Sequence, residues 1–135
     1  LVRRDLNRAK ALFQEACEMG SMTGCSRLGQ MLQSGEVVTA NLPEAKRLYA
    51  LTCEGGVPAD CYRLALIQKR ENPRMNRETF VLFAQACDGD IFPACHEVGL
   101  GWEGARNPMK ALPFYKKACE GEVKAACTKV RRLEQ

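Results

Sequence analysis

The sequence is poor in the residues most chemistry needs: one histidine, one tryptophan and three serines in 135 residues. A hydrolytic metal centre draws on several imidazoles, and His96 stands alone, with no serine nucleophile or paired carboxylates around it. None of Ser21, Ser26 and Ser34 opens a Ser-x-x-Lys motif, and Lys-Thr-Gly and Ser-Asp-Asn are missing, so serine acyl transfer of that kind has no foothold. A redox-active Cys-x-x-Cys is absent. No apolar run approaches the ~18 residues of a membrane span. Gly99-x-Gly101-x-x-Gly104 matches the bare dinucleotide pattern but ends a helical stretch with no strand before it, so the match is accidental. No enzyme, metal or cofactor is expected. With 46% apolar and 27% charged residues and a net charge of +4, the chain is neither disordered nor fibrous in composition. It opens on Leu1-Val2-Arg3-Arg4 without Met or an apolar leader core, as expected of a processed product or an excerpt.

Cysteine is what the chain has in excess. The eight fall at 17, 25, 53, 61, 87, 95, 119 and 127, four pairs of identical C-x7-C spacing whose starts lie 36, 34 and 32 residues apart. A fixed inner spacing on such an outer period marks a repeat array. Aligned on the first Cys, an aromatic stands four residues before it (Phe13, Tyr49, Phe83, Tyr115) and a large apolar residue five before (Leu12, Leu48, Leu82, Phe114). Small residues stand eight before (Ala9, Ala45, Thr79, Ala111) and one before (Ala16, Thr52, Ala86, Ala118). Offsets of one, four, five and eight share one helical face, so each repeat opens with a helix A that carries the Cys in its last turn. Asp5, Asn41, Asn76 and Asn107 are the expected N-caps, and Pro43 and Pro108 suit a first turn. Pro113 falls inside the fourth helix A, where a kink is expected. A glycine after the Cys (Gly20, Gly55, Gly56, Gly89, Gly121) permits a left-handed turn, and helix B follows with the second Cys and Leu28, Leu64, Val98 or Val130. Gly29, Ala65 and Gly99 then let a neighbouring helix approach, while Arg131 at that register is expected of a terminal helix.

On one continuous helix the two cysteines of a pair would lie about 12 Å apart, beyond the ~7 Å that a disulfide tolerates. Folding back at the glycine removes that conflict, and structural disulfides are the expected reading; in a cytosolic chain the eight thiols would be small buried residues instead. Zinc would want closer cysteine spacings and histidine partners.

The run Ala-x3-Phe/Tyr-x2-Ala-Cys, a glycine turn, then Cys-x2-Leu-Gly resembles the Sel1-like repeats, relatives of the tetratricopeptide repeat. Residues 16–29 and 86–99 carry the pattern most fully. The cysteine pairs are similar to those of cysteine-rich Sel1 proteins of Helicobacter and of related mitochondrial intermembrane-space assembly factors. The resemblance implies an all-α fold, an α/α superhelical solenoid of about four helix hairpins over one domain of residues 1–135, with repeats at roughly 5–35, 41–71, 76–104 and 107–135. It implies one intra-repeat disulfide each, Cys17–Cys25, Cys53–Cys61, Cys87–Cys95 and Cys119–Cys127, and a periplasmic or secreted location, with the intermembrane space as the alternative.

In such arrays helix A lines the concave face and binds peptides. The registers pointing away from the core are ten, six and three before the Cys, and from them Asn7, Gln14, Arg47, Arg77, Val81, Met109 and Lys116 are the candidate partner-binding residues. This mixed, partly cationic set suits a protein or peptide with polar or acidic side chains. The expected function is a non-enzymatic interaction scaffold, acting as a monomer, with weak β-lactam binding or hydrolysis as the alternative that the resemblance brings. The basic end, with Lys116, Lys117, Lys124, Lys129, Arg131 and Arg132, reads as a solvated cap; nucleic acid would want a broader stripe with stacking aromatics. Trp102 and Phe92 lie outside the core registers and are either loop packing or anchors for a partner.

Overall fold

The computed structural model describes residues 2–35 and 40–135. Among these there are eight helices and no strand: α1 (Val2–Glu18), α2 (Met22–Ser34), α3 (Leu42–Glu54), α4 (Pro58–Glu71), α5 (Arg77–Asp88), α6 (Phe92–Gly104), α7 (Pro108–Glu120) and α8 (Lys124–Leu133). They form four hairpins, each with one disulfide. The Cα atoms are 4.5 Å apart in Cys17–Cys25 and 4.7 Å apart in Cys87–Cys95 and Cys119–Cys127. Cys53 and Cys61 are disulfide-bonded too. The chain packs as two compact units, Leu1–Asp60 and Cys61–Gln135.

Capping follows the sequence in three hairpins. Asn41, Asn76 and Asn107 accept from the backbone N–H of Glu44, Thr79 and Lys110 at 3.1, 2.9 and 3.2 Å, which satisfies one orphan donor each. Asp5 is a correction: α1 begins at Val2, so Asp5 lies within its first turn, where a carboxylate complements the helix dipole without capping. Helix α7 runs from Pro108 to Glu120 through Pro113, which is exposed.

The helix ends correct a second expectation. The left-handed residue is the third after the Cys in every hairpin, namely Gly20 (φ 93°), Gly56 (φ 92°), Asp90 (φ 64°) and Glu122 (φ 70°). Gly89 and Gly121 have φ of −90° and −85°, so the turn does not require glycine there. Gly121 is required by packing: a Cβ would stand 2.1 Å from Phe92 Cγ at the start of α6. Gly55 meets Met22 Sδ, at the start of α2, in the same way at 2.6 Å. Phe92 is therefore packing against α7, not a free anchor.

Each unit is built on one tyrosine laid across a helical glycine. In the first, Tyr49 is fully buried against Gly29 of α2, and its hydroxyl donates to Gln33 at 2.7 Å. In the second, Tyr115 is fully buried against Gly99 of α6 and donates to Glu103 at 2.6 Å. Gln33 and Glu103 share one register, eight residues after the second Cys. At that register on α4, Lys69 finds no tyrosine, because helix A of the next repeat, α5, carries Phe83, and it binds Glu97 instead at 2.8 Å. Thr52 and Thr79, which replace alanine in the pattern, are buried but satisfied. The Thr52 hydroxyl donates within 3.1 Å of the Leu48 and Tyr49 carbonyls, and that of Thr79 to Gln68 at 2.8 Å. Leu12 is a third correction: at a core register it is 64% exposed, because no described helix packs on that side of α1.

Candidate interaction surfaces

All seven candidate partner-binding residues are exposed, on α1, α3, α5 and α7. In the first unit the fold brings two of them together. Gln14 of α1 and Arg47 of α3 line a groove of about 270 Å³ with Leu28, Leu32 and Leu48 beneath. Helical registers face Gln14 and Arg47 outward while the Cys and tyrosine registers of the same helices turn inward. Arg47 is held by Glu44, one turn earlier, through Nε at 2.9 Å. That hydrogen bond is the main reason the Glu44 carboxyl lies below the usual range. Gln14 reaches Glu18 at 3.5 Å. Asn7 lies outside the groove.

In the second unit Lys116 pairs with Glu134 at 3.0 Å, and Val81 and Met109 are 44% and 78% exposed. Arg77 borders a larger cleft, of about 720 Å³, which the sequence did not reveal as a site. Its apolar wall is Met75, Phe80, Leu100 and Trp102, with Trp102 edge-on to Phe80 at 5.5 Å between ring centres and Lys110 Nζ 4.8 Å above the indole. Gly101 makes the wall possible, since a Cβ there would lie 2.8 Å from Phe80. A signal existed: seven residues before the first Cys the first two repeats carry Lys10 and Lys46, and the third carries Phe80.

The basic end is more engaged than a solvated cap. Arg132 binds Glu103 at 2.7 and 2.8 Å and Lys129 lies 3.9 Å from the same carboxylate, while Lys117 bonds the Cys87 carbonyl at 2.9 Å and Asp90 at 3.2 Å. The Arg132 hydrogen bond, with that of Tyr115 second, holds the Glu103 carboxyl below its usual range. Burial, then the hydrogen bond to Glu103, raises the Tyr115 phenol.

The three serine hydroxyls that acyl transfer would recruit are otherwise occupied. Ser21 caps α2 by accepting from the Gly24 N–H at 3.1 Å, the Ser26 hydroxyl accepts from Gln30 at 3.3 Å, and that of Ser34 donates to the Met31 carbonyl at 3.1 Å. His96 is half-buried with its ring 5.7 Å from that of Tyr115, and its Nε2 is buried without a hydrogen-bond partner. Burial pushes the imidazole down, against the pull of Glu97 and with help from Lys129 and Lys69. Among the described residues no group of three or more His, Cys, Asp and Glu is placed to hold a metal, and no helix is long and apolar enough to cross a membrane.

Comparison with known proteins matches the Sel1 repeat to residues 1–21, 23–57 and 92–122. Cytochrome c oxidase assembly factor 7 of Xenopus tropicalis is 26% identical over 117 residues, 77% of this chain; the chain spans 49% of that relative's length. A protective antigen of uropathogenic Escherichia coli with an SLR fold superposes at a TM-score of 0.82 and 22% identity, over 92% of this chain and 28% of that one. Helicobacter pylori cysteine rich protein B superposes at 0.68 and 22% identity, over 95% of this chain and 96% of that one. At these identities the superpositions carry the fold, a solenoid of Sel1-like hairpins.

Proposed function

We propose, from the premise that the chain belongs to the Sel1 repeat family, that it is a non-catalytic scaffold which binds a polypeptide on the outward faces of α1, α3, α5 and α7. The observation that carries this reading is the division of those helices: the cysteine, tyrosine and alanine registers are committed to packing, and Asn7, Gln14, Arg47, Arg77, Val81, Met109 and Lys116 are left exposed. The local engagement of all three serine hydroxyls and the isolation of His96 support a role without catalysis, against the β-lactam alternative. Cysteines paired throughout support an oxidising compartment, periplasmic or extracellular. The likeness to cytochrome c oxidase assembly factor 7 favours a second reading, an assembly factor of the mitochondrial intermembrane space.

Peptides selected from a randomised library on the oxidised chain test the scaffold. Binding is expected to slow amide exchange in the odd-numbered helices and to weaken at least tenfold in an Arg47→Glu, Lys116→Glu variant. A selection that enriches no peptide, or peptides indifferent to every exposed residue of those helices, overturns it.

A further inference from the structure

The cleft of the second unit is both apolar and unneutralised. Its wall is Phe80 and Trp102, with Met75 beside them. Lys69 and Glu97, which also border it, cancel each other at 2.8 Å. Three cations remain: Arg74 and Arg77 on the rim, and Lys110 over the indole. Among the described residues none of the three makes an ion pair. Two of them also stand at helix starts. Arg77 is the first residue of α5 and Lys110 lies in the first turn of α7, at the positive ends of helix dipoles that favour anionic side chains. Their positive charge therefore adds to that of the helix ends instead of neutralising it.

We propose that this cleft takes a short acidic peptide segment, one large apolar side chain seated against the wall of Phe80 and Trp102 and flanking carboxylates received by Arg74, Arg77 and Lys110. The inference rests on the scaffold reading and names the chemistry of one partner segment. At about 720 Å³ the cleft has the size of a ligand site, large enough for a phenylalanine or leucine with neighbouring backbone. An apolar anchor in a desolvated pocket supplies affinity, and the cations at its edge supply steering and selection for acidic over basic sequences.

Trp102 is the chain's one tryptophan, so its fluorescence reports the cleft directly. The probe is an acetylated, amidated hexapeptide with phenylalanine and leucine between two aspartate pairs, titrated into the oxidised full chain in low salt. A saturable change in emission is expected, with at least tenfold weaker binding of two control peptides, one with lysines for the aspartates and one with serines for the two apolar residues. Arg74→Glu with Arg77→Glu is expected to weaken the acidic peptide at least tenfold while the melting temperature stays level or rises, because a cation leaves a helix N-terminus. Lys110→Glu serves as an independent variant. Equal binding of acidic and lysine peptides, no emission change at millimolar peptide, or affinity untouched by these substitutions overturns the proposal. So does a free aromatic carboxylate such as hydrocinnamate binding as tightly as the peptide, which would make this a small-molecule site. If the cleft fails while library peptides still protect the odd-numbered helices, the scaffold reading stands and only this inference falls.

Discussion

A methyl group added at position 99 would lie 2.4 Å from Tyr115 Cε1, whereas the same change at Gly29 places it 2.9 Å from Tyr49 Cε1. Both rings are fully buried and cannot swing away. Replacing a helical glycine by alanine favours the helix by about 0.5–1 kcal/mol, and overpacking a core costs about 1–3 kcal/mol. The balance differs between the sites. Gly99→Ala is expected to lose about 1–2 kcal/mol, and Gly29→Ala to stay near neutral, both read from thermal unfolding followed by circular dichroism. A Gly99→Ala protein as stable as the parent would remove the tyrosine-on-glycine contact from the account. These glycines were readable in the sequence because they recur at a fixed distance from a cysteine. Gly121 was misread for the same reason: its position suggested a turn, and only the arrival of Phe92 from α6 shows that packing excludes a side chain there.

Between elements, the Glu103 cluster joins α6, α7 and α8 through Tyr115, Arg132 and Lys129. Its carboxyl is held below the ordinary 4.5 by the Arg132 and Tyr115 hydrogen bonds. A depressed folded value means that the unfolded chain takes up the proton first, so the stability the cluster provides is fully present above 4.5 and is lost as the pH falls through the folded value. Glu103→Gln is expected to melt roughly 2–4 °C lower at pH 7, and the difference should shrink as the pH falls below 4.5 and the parent carboxyl begins to be protonated. A constant offset from pH 7 to pH 3 would show that Glu103 acts through its shape and not its charge. The sequence displayed only a basic end here. It could not display the pairing, because Glu103 and Arg132 are 29 residues apart and meet through the packing of three helices. The helices themselves were legible, since an aromatic, a small residue and a cysteine at fixed offsets define one buried face, and Asn41, Asn76 and Asn107 mark three of the starts. The cleft was not, because its walls come from the turn before α5 and from both α5 and α6.

For the whole molecule the cysteines set the stability scale. A bridge between residues eight apart closes a loop of about nine residues, to which the chain-entropy relation assigns about 2.5 kcal/mol. Four such loops come to about 10 kcal/mol, as much as the entire stability of a typical domain, about 5–15 kcal/mol. The reduced chain is therefore expected to stand at the edge of unfolding. In an excess of a phosphine reductant at 25 °C the helical signal at 222 nm is expected to fall by more than half, and to return on reoxidation. The loss should also be ordered. Cys119 and Cys127 are partly exposed, while Cys87 and Cys95 are 1% and 0% exposed, so alkylation under graded reduction should label the fourth pair before the third. A reduced chain that keeps its full helicity would move the burden of stability onto Tyr49, Tyr115 and their glycine seats, and the oxidising compartment would then lose its structural reason.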